Sequence, residues 1–255
     1  MPAGSKFTFS VFAQGYFSPD EVGSQQYIVF RDRDFDVCPT EDIRLIKPIK
    51  SQEDKVFATH RACVENYLLD PNLIHNYWLS KIVEKQDNPS SKWGHGNSPG
   101  VENITEWIEK SARDLQEYQA VRWALADLLQ MGGSRVQLKT TWTDGSGKIP
   151  FSLELQDCKS QAQDLINQFI QSVEAVNQGN FEASLAKYQS QFTQVDFWHN
   201  QDYLIWFHGK DIQKMMQKNR SNYISLNTFF DWAIAHLDIG QYPDLIELHT
   251  RIEQL

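Results

Sequence analysis

Tyr27-Ile28-Val29-Phe30-Arg31-Asp32-Arg33-Asp34-Phe35-Asp36 decides how this chain reads. Four uninterrupted apolar residues are what a strand covered on both faces carries, as in a parallel sheet. The acidic residues after them alternate with Arg and Phe. In an extended chain, residues two apart face the same side, so Asp32, Asp34 and Asp36 are expected to point together. In open α/β sheets, ligands bind in the crevice beyond the carboxyl ends of the strands. Carboxylates gathered there repel one another, and a hard cation such as Mg²⁺ relieves that repulsion. The same residues also read as a solvated acidic turn neutralised by Arg31 and Arg33. D-x-D alone does not separate the two.

Working outward, Phe7 to Phe12 alternates aromatic or branched residues with small polar ones, the period of a half-buried strand ended by Gly15 and Ser18-Pro19-Asp20. Ile43 to Ile49 and Lys55 to Ala58 are two further short strands, joined by a polar turn over 50–54. The remainder reads as helical. Thr59 can cap a helix running to Asn66 or Leu69, and Pro71 suits the first turn of the next. Residues 87–100 are rich in loop formers. Ser98-Pro99 opens the longest helical pattern, with Val101, Ile104, Ile108, Leu115, Val121, Leu125 and Leu128 near helical spacing before Gly132-Gly133. Val136 to Trp142 reads as a strand followed by the turn Asp144-Gly145-Ser146-Gly147. From Cys158 onward helix follows helix, with breaks at Gly179-Asn180, Gly209, Gly240 and Pro243.

The expected class is therefore α/β: a mainly parallel sheet flanked by helices, with a mostly helical C-terminal half. Three segments follow from the pattern: an α/β core over 1–86, a loop, long helix and small strand insertion over 87–157, and a helical region over 158–255 that packs on the core.

Composition narrows the function classes. The 255 residues allow one or two domains and a substantial core. Lys plus Arg is 24 against 33 Asp plus Glu, a net charge of −9, which argues against coating nucleic acid by charge alone. A local basic groove stays open. The first residues lack a signal peptide's apolar stretch, and no apolar run approaches the roughly 18 residues that span a bilayer. Cys38, Cys63 and Cys158 are widely spaced with no C-x-x-C, which fits idle thiols in a reducing compartment. A cytoplasmic protein with no membrane association is the expectation.

About thirty residues after the acidic block comes Thr59-His60-Arg61-Ala62-Cys63-Val64-Glu65-Asn66-Tyr67-Leu68-Leu69-Asp70-Pro71. Glu65 falls in the first helical turns after a short strand, where a carboxylate also simply suits the helix dipole. His60 reads by default as a capping or surface histidine. R-D-R-D-F-D after a strand, then T-H-R-x-x-x-E-N-Y-L-L-D-P, resembles the TOPRIM domains of the OLD-like nucleases. In particular it is similar to the compact prokaryotic TOPRIM proteins paired with ABC-type or AAA-type ATPases in anti-phage defence, such as the PARIS-type effector. Weaker echoes are Ala120-Val121-Arg122-Trp123-Ala124-Leu125 and the G-K helix start in His208-Gly209-Lys210-Asp211.

The resemblance implies a TOPRIM-like sheet and a metal-dependent nuclease using Mg²⁺ or Mn²⁺ on DNA or RNA, controlled by a partner ATPase; a homodimer is a separate expectation, which the aromatic content suits. It implies Asp32 and Asp34 as metal ligands, Asp36 as an outer partner of the metal, and Glu65 at a second metal position. Lys210 would stabilise charge on the phosphate. The catalytic set is then Asp32, Asp34, Glu65 and Lys210. The family's first strand ends in a glutamate, usually followed by glycine, some tens of residues before D-x-D. Here the acidic residues ahead of Asp32 are Asp20 and Glu21, beside Ser18-Pro19. Phe7 to Phe12 matches the family's second strand, so that glutamate is expected to be truncated or lost, with substitution by Glu21 less favoured. A non-catalytic module that binds an ATPase or a regulatory ligand is accordingly the rival expectation.

Other motifs carry less. Thr143-Asp144-Gly145-Ser146-Gly147-Lys148 lacks the P-loop spacing, and Ile149-Pro150 stands where a helix should start, so it reads as a hairpin turn. Phe192, Phe197, Trp198, Trp206 and Phe207, with His199 and His208, could stack unpaired bases, but aromatics near helical spacing read first as core. Eight tryptophans and fifteen phenylalanines also suit a subunit interface. No H-x-x-x-H, H-E-x-x-H or G-x-S-x-G is present.

Overall fold

The computed structural model describes residues 28–47, 56–131 and 151–254. The expectations for 7–12, the 15–21 turn, the 50–54 turn, the 136–142 strand and the 143–148 turn lie outside these residues.

Two strands, β1 (Val29–Arg31) and β2 (Val56–Ala58), pair in parallel with Val29 opposite Val56, Phe30 opposite Phe57 and Arg31 opposite Ala58. Parallel pairing puts their carboxyl ends side by side, so the Asp32 loop and the Thr59 loop leave from the same edge. Within the described part of the strand expected over Ile43 to Ile49, residues 43–47, there is one antiparallel bridge, Ile46 with Ala58. Its neighbour Leu45 donates its amide to the Glu247 carboxylate at 3.0 Å instead of to a strand.

Helices make up most of the rest. They are α1 (Glu65–Leu68), α2 (Pro71–Asp87), α3 (Val101–Arg113), α4 (Gln116–Met131), α5 (Leu155–Glu174) and α6 (Gln178–Phe192). After them come α7 (Val195–His199), α8 (Tyr203–Trp206), α9 (Gly209–Asn219), α10 (Leu226–His236), a 3₁₀ turn (Ile239–Gln241) and α11 (Pro243–Glu253). The structure is thus mostly helical with a small two-stranded parallel sheet, and no described helix is long and apolar enough to cross a membrane.

Several sequence signals act as expected. Asp70 caps α2 by accepting from the Leu73 amide at 2.8 Å, and Pro71 opens the helix where its missing N–H costs nothing. Pro243 opens α11 in the same way. Other signals act differently. Thr59 caps no helix; its hydroxyl accepts from the Arg33 amide at 3.0 Å and donates to the Arg61 carbonyl at 2.7 Å. Gly179 is no break, since α6 starts at Gln178 with Asn177 as its cap, and Gly209 opens α9. The pattern over 101–128 is two helices. Leu115 donates back three residues to Ala112, tightening the end of α3, and Asn219 holds that end by donating to Asp114 at 2.9 Å.

The chain packs as two compact units, Met1–Leu115 with Trp198–Leu255, and Gln116–Phe197. Within the first unit, the described residues from Trp198 onward pack with those up to Leu115. In the first unit, the core holds Phe57, Leu69, Ile74, Trp107, Met216 and Phe229, all nearly or fully buried. Trp107 donates its indole N–H to the Met216 carbonyl at 2.7 Å, tying α3 to α9. The loop over 88–100 is pinned by Trp93, which meets Tyr77 and Trp78 edge-on, and by Trp78 donating to the Gly96 carbonyl at 2.8 Å. In the second unit, α4 and α6 pack through Trp123 and Tyr188, and the Tyr188 hydroxyl donates to Asp127 at 2.8 Å. The aromatic run behaves as core: Phe192, Phe197, Trp198 and Phe207 are all buried.

Candidate functional site

The site lies in the first unit, at the carboxyl edge of the sheet. After Arg31 the chain does not stay extended. Asp34 adopts a left-handed backbone conformation (φ 52°), its amide donates to the Ala62 carbonyl at 2.7 Å, and the Asp36 amide turns back to the Arg33 carbonyl at 3.2 Å. The alternation that would align three aspartates is therefore broken, and each carboxylate finds a different partner.

Asp32 faces the start of α1. One of its oxygens accepts from the Val64 amide at 3.0 Å, and the other lies 3.9 Å from Lys210 Nζ. Glu65, at the start of α1, places Oε1 3.4 Å from the same ammonium, while its Oε2 is buried without a hydrogen-bond partner. Burial raises the Asp32 carboxyl above its usual range, helped by Glu65 and Asp34 and opposed by the Val64 N–H and Lys210. For Lys210 burial works downward, but the Glu65 and Asp32 carboxylates outweigh it and leave the ammonium raised.

Asp34 instead meets His208, whose Nε2 lies 3.0 Å from Asp34 Oδ1. The imidazole stacks on Phe35 at 6.2 Å between ring centres, and its Nδ1 is 3.8 Å from Cys63 Sγ. Cys63 is buried, which pushes its thiol well up and makes it a poor nucleophile. Asp36 is drawn to Arg31, with Oδ2 2.6 Å from Nη1 near the surface. Asp36 is thus engaged away from Asp32 and Glu65. The sequence brings four acidic candidates; the fold gathers Asp32, Glu65 and Lys210.

Two residues that sequence reading passed over position this group. Asn66 accepts from the Gly209 amide at 3.0 Å and from the Cys63 amide at 3.1 Å, and donates to the Phe207 carbonyl at 2.9 Å. A Cβ on Gly209 would stand 2.8 Å from the Asn66 amide nitrogen, so only glycine lets α9 approach α1 this closely. Arg33, read as a surface counter-charge, is fully buried. It donates to the carbonyls of His60 (3.1 Å), Val37 (2.7 Å) and Ile205 (2.6 Å), and burial lowers its guanidinium to about 10.

His60 is likewise not at the surface. It is 2% exposed, its amide donates to Asp244 at 3.1 Å, and burial pushes its imidazole down to about 4, against the pull of Asp244. Tyr67 donates its hydroxyl to the same Asp244 oxygen, which ties α11 beneath the site.

Among the described residues, no group of three or more His, Cys, Asp or Glu side chains is arranged to hold a metal ion. Two carboxylates are nevertheless a sufficient protein contribution for Mg²⁺, which keeps several waters and takes further oxygens from a phosphate. The orphaned, buried Glu65 Oε2 is the feature that fits such an ion. Comparison with known proteins finds no family model, no curated protein and no solved structure that matches the chain.

Proposed function

We propose that the chain is a metal-dependent nuclease of the TOPRIM type, hydrolysing phosphodiester bonds in DNA or RNA as the effector of an ATPase-linked anti-phage defence system. The observation that carries this reading is the convergence of Asp32, in the loop after β1, and Glu65, at the start of α1, on the Lys210 ammonium at 3.9 and 3.4 Å. In this reading the two-stranded parallel sheet belongs to a TOPRIM-like sheet. The likeness of the 27–71 block to the OLD-like nucleases supplies the partner ATPase of this reading.

Asp32 and Glu65 would hold the Mg²⁺ or Mn²⁺, with Asp34 the next nearest candidate. Bound there, the cation supplies Lewis-acid polarisation of the phosphoryl oxygens. Val64's amide fixes one Asp32 oxygen and so orients the other toward the site. Lys210, half exposed, supplies a positive head that reaches a phosphate oxygen as negative charge develops. His208, held by Asp34 and stacked on Phe35, fixes the wall beside them.

A second reading, a catalytically inactive TOPRIM-like module that binds its partner ATPase or a regulatory ligand, is favoured by one observation: the Lys210 ammonium already neutralises part of the carboxylate charge. Incubation with plasmid, single-stranded DNA and tRNA in Mg²⁺ or Mn²⁺ separates the two. Cleavage by wild type that is lost in Asp32→Ala and Asp34→Ala supports the nuclease. No cleavage by the intact chain, or cleavage unchanged in both variants, favours the binding module.

A further inference from the structure

We propose that Lys210 is the resident counter-ion of the cation site, so that a divalent metal enters by displacing its ammonium. The proposal rests on the reading of Asp32 and Glu65 as metal ligands and concerns how that site is regulated.

The ammonium stands where an ion bridging the two carboxylates would have to approach, 3.9 Å from Asp32 Oδ2 and 3.4 Å from Glu65 Oε1. Charge then decides the occupancy. Two carboxylates and one ammonium leave the group at −1. A divalent ion entering beside the ammonium takes it to +1, whereas entry with departure of the ammonium leaves it neutral. Geometry permits that departure. The Lys210 backbone is fixed by the Gly209–Asn66 contact, but its side chain is 51% exposed, and the ammonium on its flexible four-carbon stem can turn to water or to an incoming phosphate. The buried Glu65 Oε2 gives the metal something the lysine does not use, because the ion pair runs to Oε1 and Oε2 has no hydrogen-bond partner. Asp34 pairs with His208 and Asp36 with Arg31, so the carboxylates for which the ammonium and a metal compete are Asp32 and Glu65.

Direct Mn²⁺ binding, read from the electron paramagnetic resonance of free Mn²⁺ in wild type, Lys210→Met, Lys210→Arg and Asp32→Asn, tests this, with thermal melting of each protein alongside. Lys210→Met is expected to bind about fivefold more tightly, near the small end of coupling between two sites because the pair is half exposed. Without metal it should melt below wild type, and Mn²⁺ should close that gap. Lys210→Arg, which keeps the charge and serves if the methionine variant fails to fold, should bind no more tightly than wild type. Mn²⁺ binding that is lost in Asp32→Asn but is equal or weaker in Lys210→Met overturns the proposal while leaving the site standing. No binding in wild type and Lys210→Met overturns both.

Discussion

The Gly209 amide donates to the Asn66 side-chain oxygen at 3.0 Å, and this bond brings Lys210, the next residue, to within 3.4 Å of Glu65, the residue before Asn66. Two neighbouring pairs, separated by more than 140 positions in the chain, thereby become one charged group. The metal chemistry proposed for this protein depends on that contact.

Gly209→Ala should therefore be costly. Its new methyl group would meet the Asn66 backbone, which cannot swing aside as a flexible side chain would. A loss of about 1–3 kcal/mol is expected, read from urea denaturation. Wild-type stability in this variant would mean that α9 can retreat from α1 without penalty.

Arg33 and Arg31 should differ sharply despite standing two residues apart. Arg33→Met keeps most of the buried volume but leaves three carbonyls, of His60, Val37 and Ile205, without their donor. It should lose about 3 kcal/mol or more. Arg31→Ala breaks a partly exposed pair with Asp36 and a long 3.3 Å bond to the Asp32 carbonyl, and should lose less than about 1 kcal/mol. Chemical denaturation of the two variants side by side checks the contrast.

Stability should fall on mild acidification because of His60. Its folded-state value of about 4 lies below the ordinary 6.5, so between these values the unfolded chain binds more protons than the folded one. The contribution is complete above pH 6.5 and is lost as the pH falls from there toward about 4, by up to about 3 kcal/mol. Melting curves between pH 7 and 4.5 should show a smaller slope in His60→Gln than in wild type. Parallel slopes would mean that His60 is protonated as readily in the folded state as in the unfolded one.

What the sequence revealed was local. The apolar run ending at Phe30 marks β1, Val56 to Ala58 marks β2, and Asp70-Pro71 marks the start of α2, each because adjacent residues carry the signal. The 101–128 pattern hid a helix break because Ala112, Leu115 and Gln119 keep helical phase across it, while different partners hold the two halves. Arg33 read as solvated because a charge within a polar run gives no sign of burial. Asp34's left-handed turn, which disperses the three aspartates, has no glycine to announce it. Asn66, His208 and Asp244 act through contacts between residues 143 to 184 positions apart, and no periodicity records such pairs.

Within the acidic block, the proposed nuclease would not use the carboxylates equally. Asp36→Asn should leave nuclease activity largely intact, since Asp36 is engaged with Arg31. Asp32→Asn should abolish it. Equal loss in both, measured on the same substrate, would restore the extended arrangement in which all three aspartates face the metal.

The most direct test of the central claim is the rate of Mg²⁺-dependent nucleic acid cleavage by wild type and Glu65→Gln, with melting curves recorded to show that both are folded. The account predicts cleavage by wild type that chelation abolishes, and a fall of at least about 100-fold in Glu65→Gln, the size expected when a group stabilising the reacting phosphate is lost. A folded Glu65→Gln that cleaves like wild type, or a wild type that cleaves equally well in chelator, would contradict it.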